Sequence, residues 1–131
     1  MALIILVEDT LDQLTLMTQA LKMAGFEVLP CRYFYQGYKA ITDNAFNPEL
    51  AAILSDSDLG TDVHNGQTIY AFAHHALVDK IPFIGSSFAM KDWENLAALV
   101  KDPNLYLIPK NNDGWDIPAV LAKLAELGIT P

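Results

Sequence analysis

The 131-residue chain holds a single cysteine, Cys31. That count excludes an intramolecular disulfide and fits a reducing, cytoplasmic setting. Basic residues are scarce too: eight Lys and Arg stand against sixteen Asp and Glu, a net charge of -8. Such a chain lacks the basic stripe that direct contact with nucleic acid requires. No stretch reaches the ~18 apolar residues of a membrane span, so no membrane partner is expected. The apolar start, Met1 to Val7, has neither a basic flank nor a cleavage site and runs straight into Glu8-Asp9. It reads as a strand and not as a signal peptide. Repeats, low-complexity tracts and linkers are missing as well. One domain over residues 1–131 is therefore expected, with no room for an appended DNA-binding unit.

What the chain does have is apolar residues, 52% of the total, with a mean hydropathy of +0.21. A sheet covered on both faces accounts for this, because its central strands read as continuous apolar runs. Leu3-Ile4-Ile5-Leu6-Val7 is the first such run, and strand 1 is read over residues 3–8. Leu14, Met17, Leu21 and Ala24 follow at helical spacing, and Gly25 stops that helix. Phe26-Glu27-Val28-Leu29 reads as strand 2. A weaker helix over about 36–46 ends before Asn47-Pro48. Residues 50–56 read as strand 3, followed by a polar loop from Ser57 to Asn65. Gly66 then opens a helix with Ile69, Phe72, Ala73, Ala76 and Leu77 on one face. Strand 4 is Ile81 to Gly85, and the next helix carries Trp93, Leu96, Ala97 and Val100. Leu105 to Ile108 is strand 5. Asp116 caps the last helix, Pro118 sits in its first turn, and Gly128 ends it after Val120, Leu121, Leu124 and Leu127. The alternation predicts an α/β fold: a doubly wound, five-stranded parallel sheet in the flavodoxin-like order 2-1-3-4-5, with helices on both faces.

Sheets of this kind bind ligands outside the carboxyl ends of their strands. Four of those ends carry polar residues: Glu8-Asp9, Asp56, Ser86-Ser87 and Lys110. The order 2-1-3-4-5 sets strands 1, 3, 4 and 5 side by side, so the four ends are neighbours. Clustered carboxylates repel one another unless a counter-ion meets them. The acids are thus a candidate site for a hard divalent cation.

These residues, in this order, resemble the receiver domain of two-component response regulators, of the single-domain type, nearly end to end. Glu8-Asp9 is similar to that family's acidic pair and Asp56 to its phospho-acceptor. Ala24-Gly25-Phe26-Glu27-Val28 resembles the usual start of its second strand. Gln36-Gly37-Tyr38-Lys39-Ala40 stands where an acidic-Gly-x-x-Ala string is common. Ser86-Ser87-Phe88-Ala89-Met90-Lys91 resembles Thr-Ala-Phe-Ala-Met-Lys.

The resemblance implies phosphorylation of Asp56 by a histidine kinase or a histidine phosphotransfer protein. It implies Mg²⁺ (or Mn²⁺) held by Asp9, Asp56 and the backbone carbonyl of Asp58, with Glu8 acting through water. Lys110 would contact the phosphoryl oxygens. Ser86 would be the switch hydroxyl, with Ser87 the second choice, and Tyr106 the aromatic that follows it. A downstream protein, or a second copy in a homodimer, would read the state on the face of helix 4, strand 5 and helix 5. Such a module is a phospho-switch and not an enzyme in the usual sense.

Two positions depart from the family pattern. Leu59-Gly60 stands where a proline is usual, in a longer loop. Pro109 precedes Lys110 and Asn111 follows it, where lysine is normally followed by proline. A cis Lys110–Asn111 bond would cost roughly 2.5–4 kcal/mol. These departures motivate a second reading, a receiver-like interaction module that does not use phosphate. A third reading is enzymatic. Asp56-Ser57-Asp58-Leu59-Gly60-Thr61 is similar to the nucleophile motif of haloacid-dehalogenase-like phosphatases, in which Asp58 would be a general acid. Asp58 and Asp62 otherwise read as loop carboxylates. His64, His74 and His75 read as surface or packing residues, and Trp115 as a hydrophobic plug or a neighbour of the site.

Overall fold

The computed structural model describes residues 1–61, 63–77 and 80–131. Asp62, read as a loop carboxylate, lies outside the described residues. Ten elements alternate: β1 Leu3–Val7, α1 Leu11–Met23, β2 Glu27–Cys31, α2 Phe34–Asp43, β3 Leu50–Asp56, α3 Gly66–Ala76, β4 Phe83–Ser86, α4 Lys91–Val100, β5 Leu105–Leu107 and α5 Ile117–Glu126. All strand pairs are parallel, and the sheet order is β2-β1-β3-β4-β5. The predicted doubly wound architecture is the one observed.

Every residue of β1 is buried. Successive strand side chains point to opposite faces, and the two cores divide accordingly. Ile5 and Val7 join Ile53, Ile69, Phe83 and Trp93 beneath α2, α3 and α4. Ile4 and Leu6 join Met17, Leu21, Leu54, Ile84 and Leu124 beneath α1 and α5. Fully burying each of these aliphatic side chains contributes up to about 1.5–3 kcal/mol.

Element ends differ from the sequence reading by small, explicable amounts. β2 runs on through Pro30 to Cys31. A proline, lacking its N–H, fits a strand at the sheet edge, and β2 is that edge. α2 begins at Phe34 rather than Gln36, because the Gln36 side chain accepts hydrogen bonds from the N–H groups of Arg32 and Tyr33 at 2.8 and 3.1 Å. α4 fully buries only Trp93; Leu96 packs partly buried on the same core, and Val100 at the end of the stripe is exposed. α5 is capped as read, with Asp116 accepting from the Ala119 N–H at 3.1 Å. Among the described residues every peptide bond is trans, Lys110–Asn111 included.

Candidate functional site

Parallel strands deliver their carboxyl ends to one side of the sheet. Glu8 and Asp9 follow β1, Asp56 is the last residue of β3, Ser86 ends β4, and Lys110 lies just beyond β5. There the structure brings Glu8, Asp9 and Asp56 together, with one oxygen from each lying within 4.8 Å of the others. Among the described residues this is the only such group of acidic, imidazole or thiol donors. The histidines do not join it. His64 packs tilted against Phe34 with ring centroids 4.6 Å apart, and His74 lies 3.5 Å from Asp102.

The tight approach of α3 fixes Asp56 in place. Gly66 donates its N–H to the Ser57 carbonyl at 2.9 Å, and a Cβ on Gly66 would fall 2.0 Å from the Asp56 carbonyl oxygen. Only glycine lets the helix start there. Asp56 itself is buried, and its Oδ1 accepts from the Ser57 N–H at 2.8 Å and lies 3.4 Å from Lys110 Nζ. Burial, joined by the charge of Glu8, pushes the Asp56 carboxyl up to about 7 against the pull of Lys110 and the Ser57 N–H. Desolvation and the Glu8 carboxylate raise Asp9 as well, with a smaller push from Asp58. The donor set is all hard oxygen, and burial with the neighbouring negative charge raises Asp9 and Asp56 within it. Such a set fits a divalent cation, whose charge would relieve both carboxylates.

Glu8 is fully buried and serves a different neighbour. Lys110 Nζ donates to Glu8 Oε1 at 2.6 Å and to Gln13 Oε1 at 2.7 Å. The Trp115 indole N–H donates to the same Glu8 oxygen at 2.9 Å, and the Thr10 N–H to Oε2 at 3.0 Å. An open cleft of about 530 Å³ lies above, walled by Asp9, Gln13, Asp56, Asp58, Ser87 and Lys110 among others. Asp58 is exposed, and its Oδ1 accepts from the Gly60 N–H at 2.9 Å in a tight turn.

The two serines are placed differently. Ser86 pairs in register with Asp56 and shares its face of the sheet, but its Oγ donates to the Ile108 carbonyl at 2.5 Å. Ser87 faces the cleft, and its Oγ accepts from the Ala89 N–H at 3.2 Å. Tyr106 is half-buried on the α5 side of β5, with Lys123 Nζ 5.2 Å from its ring. Leu107 points to the α4 side.

Sequence reading missed Gln13 and did not connect Trp93 to the strand ends; of the two readings of Trp115, plug or neighbour of the site, the structure supports both, since it is buried and bonded to Glu8. For Gln13 one signal existed: the first turn of the helix after β1 faces the same crevice as the acids. Nothing local marks Trp93. The Trp93 indole N–H donates to the Ser86 carbonyl at 3.1 Å, against Gly85, where a Cβ would lie 2.6 Å from its ring.

No protein-family model matches the sequence, and no curated protein does. Solved structures do match the fold. A response regulator receiver protein from Sinorhizobium medicae WSM419 superposes with a TM-score of 0.78 at 15% identity, covering 96% of this chain and 93% of its own. A CheY-like receiver domain protein from Methanospirillum hungatei JF-1 gives 0.75 at 20% identity, over 97% and 93%. The receiver domain of the hybrid histidine kinase CckA gives 0.72 at 19%, over 98% and 100%. The chain has the receiver fold. The receiver likeness covers nearly the whole chain, as the motifs of its sequence implied. Among the described residues no helix is long and apolar enough to cross a membrane.

Proposed function

We propose that the chain is a receiver, phosphorylated on Asp56 by a histidine kinase or a histidine phosphotransfer protein. The observation that carries this reading is the position of Asp56. It is a buried carboxylate at the end of β3, set between an acidic pair and a lysine ammonium.

Asp9, Asp56 and the backbone carbonyl of Asp58 would hold Mg²⁺ or Mn²⁺, with Glu8 behind them acting through water. The bound ion supplies positive charge that lets an anionic donor approach an anionic nucleophile. Oδ1 of Asp56 is occupied by the Ser57 N–H and faces Lys110, so Oδ2 is the attacking oxygen. It forms the new O–P bond as the P–N bond of the phosphohistidine breaks, and the departing imidazole nitrogen takes up a proton. Lys110, held beside Glu8 and 3.4 Å from Asp56, meets the transferred oxygens. The product adds ~1.5–2 negative charges and three acceptors at one point. Ser86 responds by leaving the Ile108 carbonyl and turning its Oγ to the phosphoryl group. Tyr106 and the face of α4, β5 and α5 carry that change to a downstream protein or a second copy.

Labelling with acetyl phosphate and Mg²⁺, followed by mass spectrometry, tests the assignment. Wild type gains one phosphoryl group on Asp56, and Asp56→Asn gains none. Equal labelling of both would refute the acceptor. Ser86→Ala labels normally but loses the phosphate-dependent change in α4 amide exchange, whereas Ser87→Ala keeps it. The reverse pattern would move the switch to Ser87.

A further inference from the structure

We infer that Gln13 and Trp115 are positioning residues that, with Glu8, form a socket for the Lys110 ammonium. In that socket Glu8 is the counter-ion of Lys110 and not a metal ligand. The inference deepens the reading of Asp56 as phospho-acceptor and rests on it only for its kinetic test.

Lys110 reaches the site by an unusual route. Pro109 precedes it, and the chain then turns tightly, with Asn111 and Gly114 exchanging backbone hydrogen bonds at 2.9 and 3.1 Å. Gly114 adopts φ +110, and a Cβ there would stand 3.0 Å from the Gln13 side chain, so the turn closes directly over Gln13. The same turn carries Trp115 inward, where it is buried. The turn after Lys110 thereby delivers an indole N–H to Glu8.

The side chain of Lys110 is 2% exposed. An ammonium has three N–H groups and can only donate. Two are taken, by Glu8 at 2.6 Å and by Gln13 at 2.7 Å. The third direction faces Asp56 Oδ1 at 3.4 Å, longer than a good hydrogen bond. Lys110 is therefore held just short of Asp56, one N–H aimed at the acceptor. The rings of Trp115 and Phe88, 5.6 and 5.2 Å from Nζ, close the sides of the socket. Both oxygens of Glu8 are occupied, by Lys110 and Trp115 on one and by the Thr10 N–H on the other. Glu8 does not wall the cleft, although Asp9 and Asp56 do. A buried carboxylate so placed is tolerable because its partner is a buried ammonium.

Two measurements test the socket. The first uses no phosphate: lysine acylation read by mass spectrometry. Gln13→Met and Trp115→Phe each expose Lys110 and speed its acylation about tenfold, the weight of one hydrogen bond to a charged group. Unchanged protection of Lys110 in both variants, with the fold intact by circular dichroism, overturns the proposal.

The second is acetyl phosphate labelling across a Mg²⁺ titration. Gln13→Met lowers the maximal rate about tenfold and leaves the half-saturating Mg²⁺ unchanged, and Gln13→Glu, which keeps an acceptor, recovers most of the rate. Glu8→Gln loses rate yet keeps half-saturating Mg²⁺ within about threefold, whereas Asp9→Asn raises it more than about tenfold. A Mg²⁺ shift in Glu8→Gln as large as in Asp9→Asn, or no recovery in Gln13→Glu, overturns the assignment of Glu8 and Gln13 to the socket. If wild type takes no label on Asp56, the phospho-acceptor reading fails while the acylation measurement still decides the socket.

Discussion

Asp56 sits where its own charge is disfavoured, and this has a measurable sign. Burial and Glu8 together push its carboxyl from 3.8 up to about 7. Between those values the folded chain keeps a proton that the unfolded chain has released. Without a divalent cation, stability therefore falls as pH rises through that window. Asp56→Asn removes the slope and raises the melting temperature at about pH 8 by roughly 3–10 °C. Identical pH profiles for the two proteins would show that Asp56 carries no such burden. At this scale the carboxylates were legible because each closes an apolar strand run. Gln13 was not, and Trp115 only as one of two alternatives, since an amide and an indole acquire their roles only from what a distant turn sets beside them.

Elements show a similar division. Strand cores were readable from unbroken apolar runs, and helix ends from capping and glycine signals. The start of α2 moved because one side chain, Gln36, caps it from inside. The face of α4 was legible except at Val100: Trp93, whose ring fills the space left by Gly85 and touches Gly66, is fully buried and Leu96 packs on the same core. Leu99 and Val100 are left at the surface. Trp93 is thus the main anchor of α4, with Leu96 beside it. Trp93→Ala should cost about 3–5 kcal/mol and loosen α4 first, read as early amide exchange confined to residues 91–100. Gly66→Ala drives a methyl into the Asp56 carbonyl, and the expected result is a destabilised chain with weakened labelling of Asp56. A Gly66→Ala protein as stable and as readily labelled as wild type would refute that tight approach.

Across the whole molecule, the alternation of strand and helix was enough to predict the sheet order, because right-handed crossovers leave few alternatives. The loops were less readable, their course being set by packing against residues far away in sequence. Three acids converge at the carboxyl ends of β1 and β3 in a chain of net charge -8, and the expected consequence is a stability that responds to divalent cations. Mg²⁺ at a hundredfold its dissociation constant should add ~2.7 kcal/mol of stability. Asp9→Asn should remove about half of the gain or more at the same Mg²⁺ concentration, and monovalent salt at equal ionic strength should not reproduce it. A gain retained in full in Asp9→Asn would place the ion elsewhere. The molecule's two tryptophans lie on opposite faces of the sheet, Trp93 beneath α4 and Trp115 against α5, and both are buried. Each donates its indole N–H to a residue at the strand ends, Ser86 or Glu8. The protein is therefore its own two-channel optical probe. In Trp115→Phe the emission reports only the α4 side, and in Trp93→Phe only the α5 side, so light alone can tell which face of the sheet moves first.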